Sequence, residues 1–190
     1  MLAALLVKTR DLLGYEQFCR NIITNFANTT NAYVADQVAK ACLFLPSSET
    51  DLKVIGRLTD FIVRNGIDDS SALPYYQDCK ALYEYRVGHY AEAVIWAQKP
   101  LSITGLQLYG HVYAVLAMAY WRLGKKDEAR AMLAKGETFA PFTMPAQIAE
   151  DPSNAWQGWL YARIQLDEAT ALIQPGSASA DNPNEQQREE

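Results

Sequence analysis

Histidine and cysteine are scarce in this chain, with two and three residues among 190. His89 and His111 stand in separate segments, and Cys19, Cys42 and Cys79 form no Cys-x-x-Cys pair. Neither a zinc site nor a histidine dyad is expected, and both histidines read as surface residues. The cysteines, odd in number and set among apolar positions at helical spacing, read as reduced core thiols, which suits the cytoplasm. Long hydrophobic runs are missing too. The stretch 2–7 is apolar, but no basic segment precedes it and Lys8 and Arg10 cut it short, so neither a membrane span nor a secretory signal is expected. An excess of positive charge is also absent. The net charge is −5, and Asp181, Glu185, Glu189 and Glu190 against Arg188 place most of it in the last residues. Without a basic patch interleaved with aromatics, nucleic acid is not an expected partner.

What the chain does contain is ordinary for a globular protein, with 49% hydrophobic and 21% charged residues. One domain is the default at this length. Its clearest internal signal is a repeat. Residues 81–93 (ALYEYRVGHYAEA) align with 117–129 (AMAYWRLGKKDEA) on Gly88 and Gly124, which are 36 residues apart. Both segments carry a small residue seven before the glycine, an aromatic three before it, Arg two before it, and Glu-Ala after it. That period is close to the roughly 34 residues of a tetratricopeptide (TPR) unit. Ala81 and Ala117 let paired helices approach, Gly88 and Gly124 accept a positive φ where one helix ends, and Ala93 and Ala129 sit where the backbones pass. Glu92, Asp127 and Glu128 complement the dipole at the start of the second helix, and Pro141 closes the last repeat.

Weaker copies precede these. Residues 2–13 and 15–27 form one expected helix pair joined at Gly14, and 32–45 with 51–64 form another, stopped at Pro46. Beyond Pro141, Pro145 and Pro152, a single stripe of Ala155, Trp159, Ala162, Leu166, Ala169 and Ile173 marks a last helix that caps the stack. The expected architecture is all-α: a right-handed TPR-like superhelix of about four antiparallel pairs over 1–174, and a disordered polar tail over 175–190.

Residues 15–20 (YEQFCR), 29–46 (TTNAYVADQVAKACLFLP), 80–99 (KALYEYRVGHYAEAVIWAQK) and 159–173 (WLYARIQLDEATALI) carry a further resemblance. They resemble the C-terminal TPR region of large bacterial eukaryotic-like serine/threonine kinases of the Verrucomicrobia and Planctomycetes type, which often carry WD-repeat propellers. The resemblance spans roughly 11–173 and implies a kinase domain, a propeller or both upstream in the parent protein. The catalytic parts of a kinase are not in this chain: there is no His-Arg-Asp loop, and Asp60-Phe61 is followed by Ile62. Gly105 to Gly110 begins like a phosphate loop but lacks the Lys-Ser/Thr that would reach phosphate. No enzymatic activity and no cofactor are expected here.

Function is instead expected on the concave face, where TPR stacks hold peptides. Setting Gly88 and Gly124 in register places Tyr75, Asp78, Leu82, Tyr85 and Arg86 beside His111, Met118, Trp121 and Arg122, with Tyr33 and Lys40 extending the row. Aromatic anchors with arginines at the rim suit an acidic or C-terminal peptide bearing an apolar residue, although the Lys and Asn of a carboxylate clamp are lacking. Such a groove calls for exposed Tyr85, Trp121 and Arg122. The alternative is that these aromatics pack between helices, or dock on an upstream domain for which the chain is a structural spacer or regulatory cap.

Overall fold

The computed structural model describes residues 1–46, 49–66, 71–103, 109–149 and 155–175. Residues 104–108 of the loop before Tyr109, and 176–190 of the expected tail, lie outside the described residues. Every regular element among the described residues is helical: α1 (Leu2–Lys8), α2 (Leu12–Phe26), α3 (Ala32–Leu43), α4 (Glu49–Asn65), α5 (Leu73–Arg86), α6 (Tyr90–Gln98), α7 (Tyr109–Arg122), α8 (Lys126–Phe139), α9 (Ala146–Ala149) and α10 (Ala155–Ile173), with a 3₁₀ turn at Pro100–Ser102. The fold is all-α.

Local chemistry sets most of the boundaries. Asp11 caps α2 by accepting the Gly14 N–H at 2.9 Å, and Asn31 caps α3 through the Val34 N–H at 3.1 Å. The expected junction at Gly14 is therefore displaced. The chain turns at 9–11, where Arg10 adopts φ 60°, and Gly14 lies inside α2 because the carboxylate three residues earlier starts the helix. Gly88 and Gly124 take φ 85° and 78°. After them His89 and Lys125 return their N–H groups to the carbonyls of Glu84 and Tyr120, the bond that closes a helix end around a left-handed residue.

Consecutive helices pair as four hairpins, α1–α2, α3–α4, α5–α6 and α7–α8. The odd-numbered helices also touch in succession, α1 to α3, α3 to α5 and α5 to α7, whereas among the second helices of the four hairpins, in the described residues, only α2 and α4 approach each other. The stack therefore curves toward the odd row. Ala81, Ala93, Ala117 and Ala129 are fully buried at the helix crossings. Burying their small side chains lets the backbones close, so the repeat seen in the sequence is a packing repeat.

The last helix does more than cap. Of its expected stripe, Ala162, Leu166, Ala169 and Ile173 are buried and Trp159 is half-buried, but Leu160, Arg163, Ile164 and Gln165 are buried as well. A helix buried on more than one side lies in a groove. α10 packs on α7 and α8 and also reaches α1, the opposite end of the odd row. With 19 residues it is about 28 Å long, enough to bridge a curved row of four helices. Leu166 lies so close to Gly136 that a methyl group there would meet its Cδ2 at 2.6 Å.

Gly88→Ala and Gly124→Ala test the turns without a packing artefact, because no atom lies within 4 Å of a Cβ built at either glycine. Each substitution is expected to cost about 1 kcal/mol in urea denaturation, solely from the left-handed backbone. A Gly124→Asn variant, which tolerates that conformation better, should lose less.

Candidate functional site

Arg86, at the end of α5, organises the inner face of the odd row. Its side chain is 3% exposed and forms a two-pronged ion pair with Glu168 of α10, with Nη2 to Oε2 at 2.6 Å. The same guanidinium donates to the carbonyls of Leu43 at 3.0 Å and Phe44 at 2.9 Å, the orphan acceptors at the end of α3. Nearby, Phe44 meets Tyr161 of α10 edge to face at 5.0 Å, and Lys8 of α1 reaches Asp167 at 2.9 Å. Between these groups lies a cleft of about 540 Å³ lined by Val7, Lys8, Phe44, Ile164 and Asp167 among others. A second buried arginine, Arg163 of α10, bonds Glu137, Asp167 and the Ala140 carbonyl and locks α10 to α8.

Further along the row, three successive odd helices place a polar cluster where core would be expected. Asp36 and Lys40 come from α3, one turn apart, and pair at 2.9 Å. Asp78 comes from α5 and His111 from α7, and both are buried. Oδ1 of Asp36 and Oδ1 of Asp78 are buried with no hydrogen-bond partner among the described residues. The His111 Nε2 lies 3.2 Å from the Gly158 carbonyl, and since a carbonyl only accepts, this nitrogen carries the proton. Lys40 Nζ sits 5.4 Å from the centre of the Tyr75 ring, and Tyr161 lies near both Lys40 and Tyr33.

Burial dominates the electrostatics of this cluster. It pushes the Asp78 carboxyl up to about 7, against the pull of Lys40 and with a smaller push from Asp36. His111 is lowered to about 3 by burial and then by the Lys40 charge, the Gly158 carbonyl opposing both, so the ring is neutral near pH 7. Asp36 is raised by burial in spite of Lys40. Burial would lower Lys40, but Asp36, with Cys79 and Asp78 behind it, holds its ammonium above the usual value.

The expected groove residues divide sharply. Tyr75 is exposed, Trp121 half-buried and Arg122 exposed. Leu82, Tyr85 and Met118 are core, at 3%, 6% and 0% exposure, and cannot anchor a peptide from solvent. Their apolar side chains fill the seams between neighbouring helices. The Tyr85 phenol is raised by burial and partly offset by Arg122 beside it, so Arg122, although exposed, is engaged by α5 of the preceding repeat. Trp121 stacks under Lys126 at 3.4 Å from its ring centre, a contact across the α7–α8 turn. Asp78 and His111 belong to the buried cluster, which corrects the expectation of a surface histidine; His89 does lie at the surface, with Nδ1 2.8 Å from Glu84. Arg86 does hold an acidic group on a helix, but that helix is the chain's own.

Asp36, Glu168 and Tyr161 were not among the expected residues. Asp36 stands within an apolar helical stripe between Ala35 and Ala39, four before Lys40, a spacing that signals a buried pair. Nothing local marks Glu168, whose partner is 82 residues away. Among the described residues no group of three or more His, Cys, Asp or Glu side chains converges to hold a metal, and all three cysteines are buried thiols. No family model matches the chain, and neither a curated protein nor a solved structure does.

Arg86→Ala should cost about 3 kcal/mol or more in urea denaturation, because Glu168 and two carbonyls lose their donor together, whereas Lys8→Ala, breaking a half-exposed pair, should cost less than about 1 kcal/mol. The two buried titrating groups act in opposite directions. Asp78, held higher folded than unfolded, contributes stability that is complete below about pH 4 and is lost as pH rises through about 7. His111, held lower, contributes stability present above about pH 6.5 and lost as pH falls through about 3. Asp78→Asn should therefore leave a stability that climbs steeply from pH 4 to 6.5, and His111→Gln one that declines from pH 4 to 7. Parallel pH profiles for parent and variants would show that neither group titrates this way.

Proposed function

We propose that this chain is a protein-protein interaction or scaffolding module of TPR type, belonging to a cytoplasmic, kinase-associated bacterial signalling protein, and that its partner binds on the inner face of the odd row. The observation that carries the reading is that this face already holds a helix: α10 lies across it, anchored by Arg86 and Glu168. The 36-residue hairpin repeat with left-handed glycines supports the TPR assignment.

α10 approaches α1 and α7 closely and leaves more room over α3 and α5. There Tyr33, 67% exposed, and Tyr75, 37% exposed, stand beside the buried Asp36 and Asp78 and the half-buried Lys40. Large aromatic rings over a polar floor are a common anchor for a peptide segment. The partner in this reading is a protein or peptide, with no catalytic role for the chain. A second reading, the structural spacer or regulatory cap, is favoured by Leu2, Leu5, Leu12 and Leu13, all more than 40% exposed on α1 and α2. Such a patch suits docking on a neighbouring domain of the same parent protein.

The readings separate by where a partner touches. A photo-cross-linking amino acid at Tyr33 or Tyr75 should trap one protein from a bacterial lysate, while the same probe at exposed Ile95 on α6 should not. Cross-links arising only from Leu5 or Leu13 would replace the inner-face reading with the docking one. The double change Arg86→Glu/Arg122→Glu is unsuitable as a test, since a carboxylate at position 86 would face Glu168 and unfold the clamp.

A further inference from the structure

With Asp78 ionised, the polar cluster between α3, α5 and α7 is short of one positive charge; with Asp78 protonated it is balanced. With both carboxylates ionised it holds Asp36, Asp78 and a single ammonium, Lys40, and His111 is neutral. Asp36 and Asp78 are 3% and 5% exposed, and each has one oxygen buried without a donor. An unsatisfied buried acceptor costs about 1–3 kcal/mol, and more when charged. Among the described residues Gln165 Oε1 and Thr170 Oγ1 of α10 also lack a partner, but only Asp36 and Asp78 combine that with an ionisable group and the charge of the same lysine.

The missing partner is defined by what the cluster has to spare. It must donate hydrogen bonds, since both free atoms only accept once Asp78 has given up its proton. It must carry one positive charge to balance the second carboxylate. It must be compact, because the acceptors belong to separate carboxylates and offer no two-oxygen edge for a planar guanidinium. An ammonium on an alkyl stem meets all three conditions. The surroundings suit its stem and its charge: Tyr33 and Tyr75 are exposed at the rim, Tyr161 of α10 stands near Tyr33 and Lys40, and aromatic faces attract ammonium groups, as the Tyr75 ring already does Lys40.

We propose that this cluster is a binding site for a single alkylammonium group, with Asp36 and Asp78 as its acceptors and the tyrosines as its rim. The inference rests on the reading of the inner face as a binding surface, and it reverses the charge expected of the ligand there: the arginine that would have taken an acidic group is already occupied by Glu168. Two sources share the chemistry, a free small amine and the side chain of a lysine on a partner protein.

Binding of the ammonium displaces the proton that Asp78 holds when the site is empty. The charged and titratable groups that act on Asp78 are Asp36 and Lys40 on α3 and Cys79 on its own helix, and His111 on α7 feels the same Lys40. His111 and the raised Cys79 thiol stay neutral between pH 6 and 8, so Asp78 governs the response in that range. Affinity should rise about tenfold from pH 6 to pH 8 as Asp78 ionises.

The test is isothermal titration of the full chain with n-butylammonium and with a capped lysine, at pH 6 and pH 8, in two buffers of different ionisation enthalpy to count protons. A capped glutamate and a side-chain-acetylated capped lysine serve as controls. Saturable binding of both amines, tighter at pH 8, with proton release and no response to the controls, is the expected result. Asp78→Asn and Asp36→Asn should each weaken binding at least tenfold, with circular dichroism unchanged because Asn keeps the shape. A lysine-containing peptide binding more than tenfold tighter than butylammonium would identify a partner lysine as the source, and equal affinities a free amine. No saturable binding at pH 8, or an affinity untouched by both variants, overturns the site. Cross-links from Tyr33 and Tyr75 that persist without ammonium binding would retain the interaction surface and remove the site; ammonium binding without cross-links would do the reverse.

Discussion

The buried guanidinium of Arg86 is the joint on which the curved row depends. It ties the exposed carbonyl end of α3, the end of α5 and the middle of α10 through one planar group. A lysine could not replace it, since the geometry uses a fork toward Glu168 and separate donors toward two carbonyls. α10 touches both α1 and α7, the two ends of the odd row, so the helix and its Arg86 clamp hold those ends together. The Arg163 cluster repeats the device at the α8 end.

Polar side chains on the inner face serve two different ends. Arg86 and Arg163 are paired with carboxylates and carbonyls and hold the helices in register. Those around Asp78 are not satisfied, and burial there shifts protonation instead of being offset by bonds. A fold that buries alanines at its helix crossings has little slack to accommodate an unpaired carboxylate by accident. That contrast, within a single row of helices, sets the cluster of α3 and α5 apart from the arginine joints.

Some of this was legible before the structure. Gly88 and Gly124 mark turns because a positive φ is a local demand, and Ala81 and Ala117 mark crossings because small volume is a property of one residue. Gly14 misled for the same reason: a glycine can end a helix, but Asp11 three residues before it was the stronger local signal and started one. Leu82, Tyr85 and Met118 share the helical spacing of groove residues, and spacing does not distinguish a face turned to solvent from one turned to a neighbouring helix.

The sequence by itself determined the helical class, the hairpin repeat and the apolar stripe that marks α10 as a helix, since periodicity, helix caps and left-handed glycines act within a few residues. Only the tertiary structure decided that α10 lies across the odd row, that Arg86 is satisfied from within by Glu168, and that Asp36, Lys40, Asp78 and His111 meet. Those outcomes join groups tens of residues apart, and their energies arise from desolvation and charge at contacts that exist only once the row has curved.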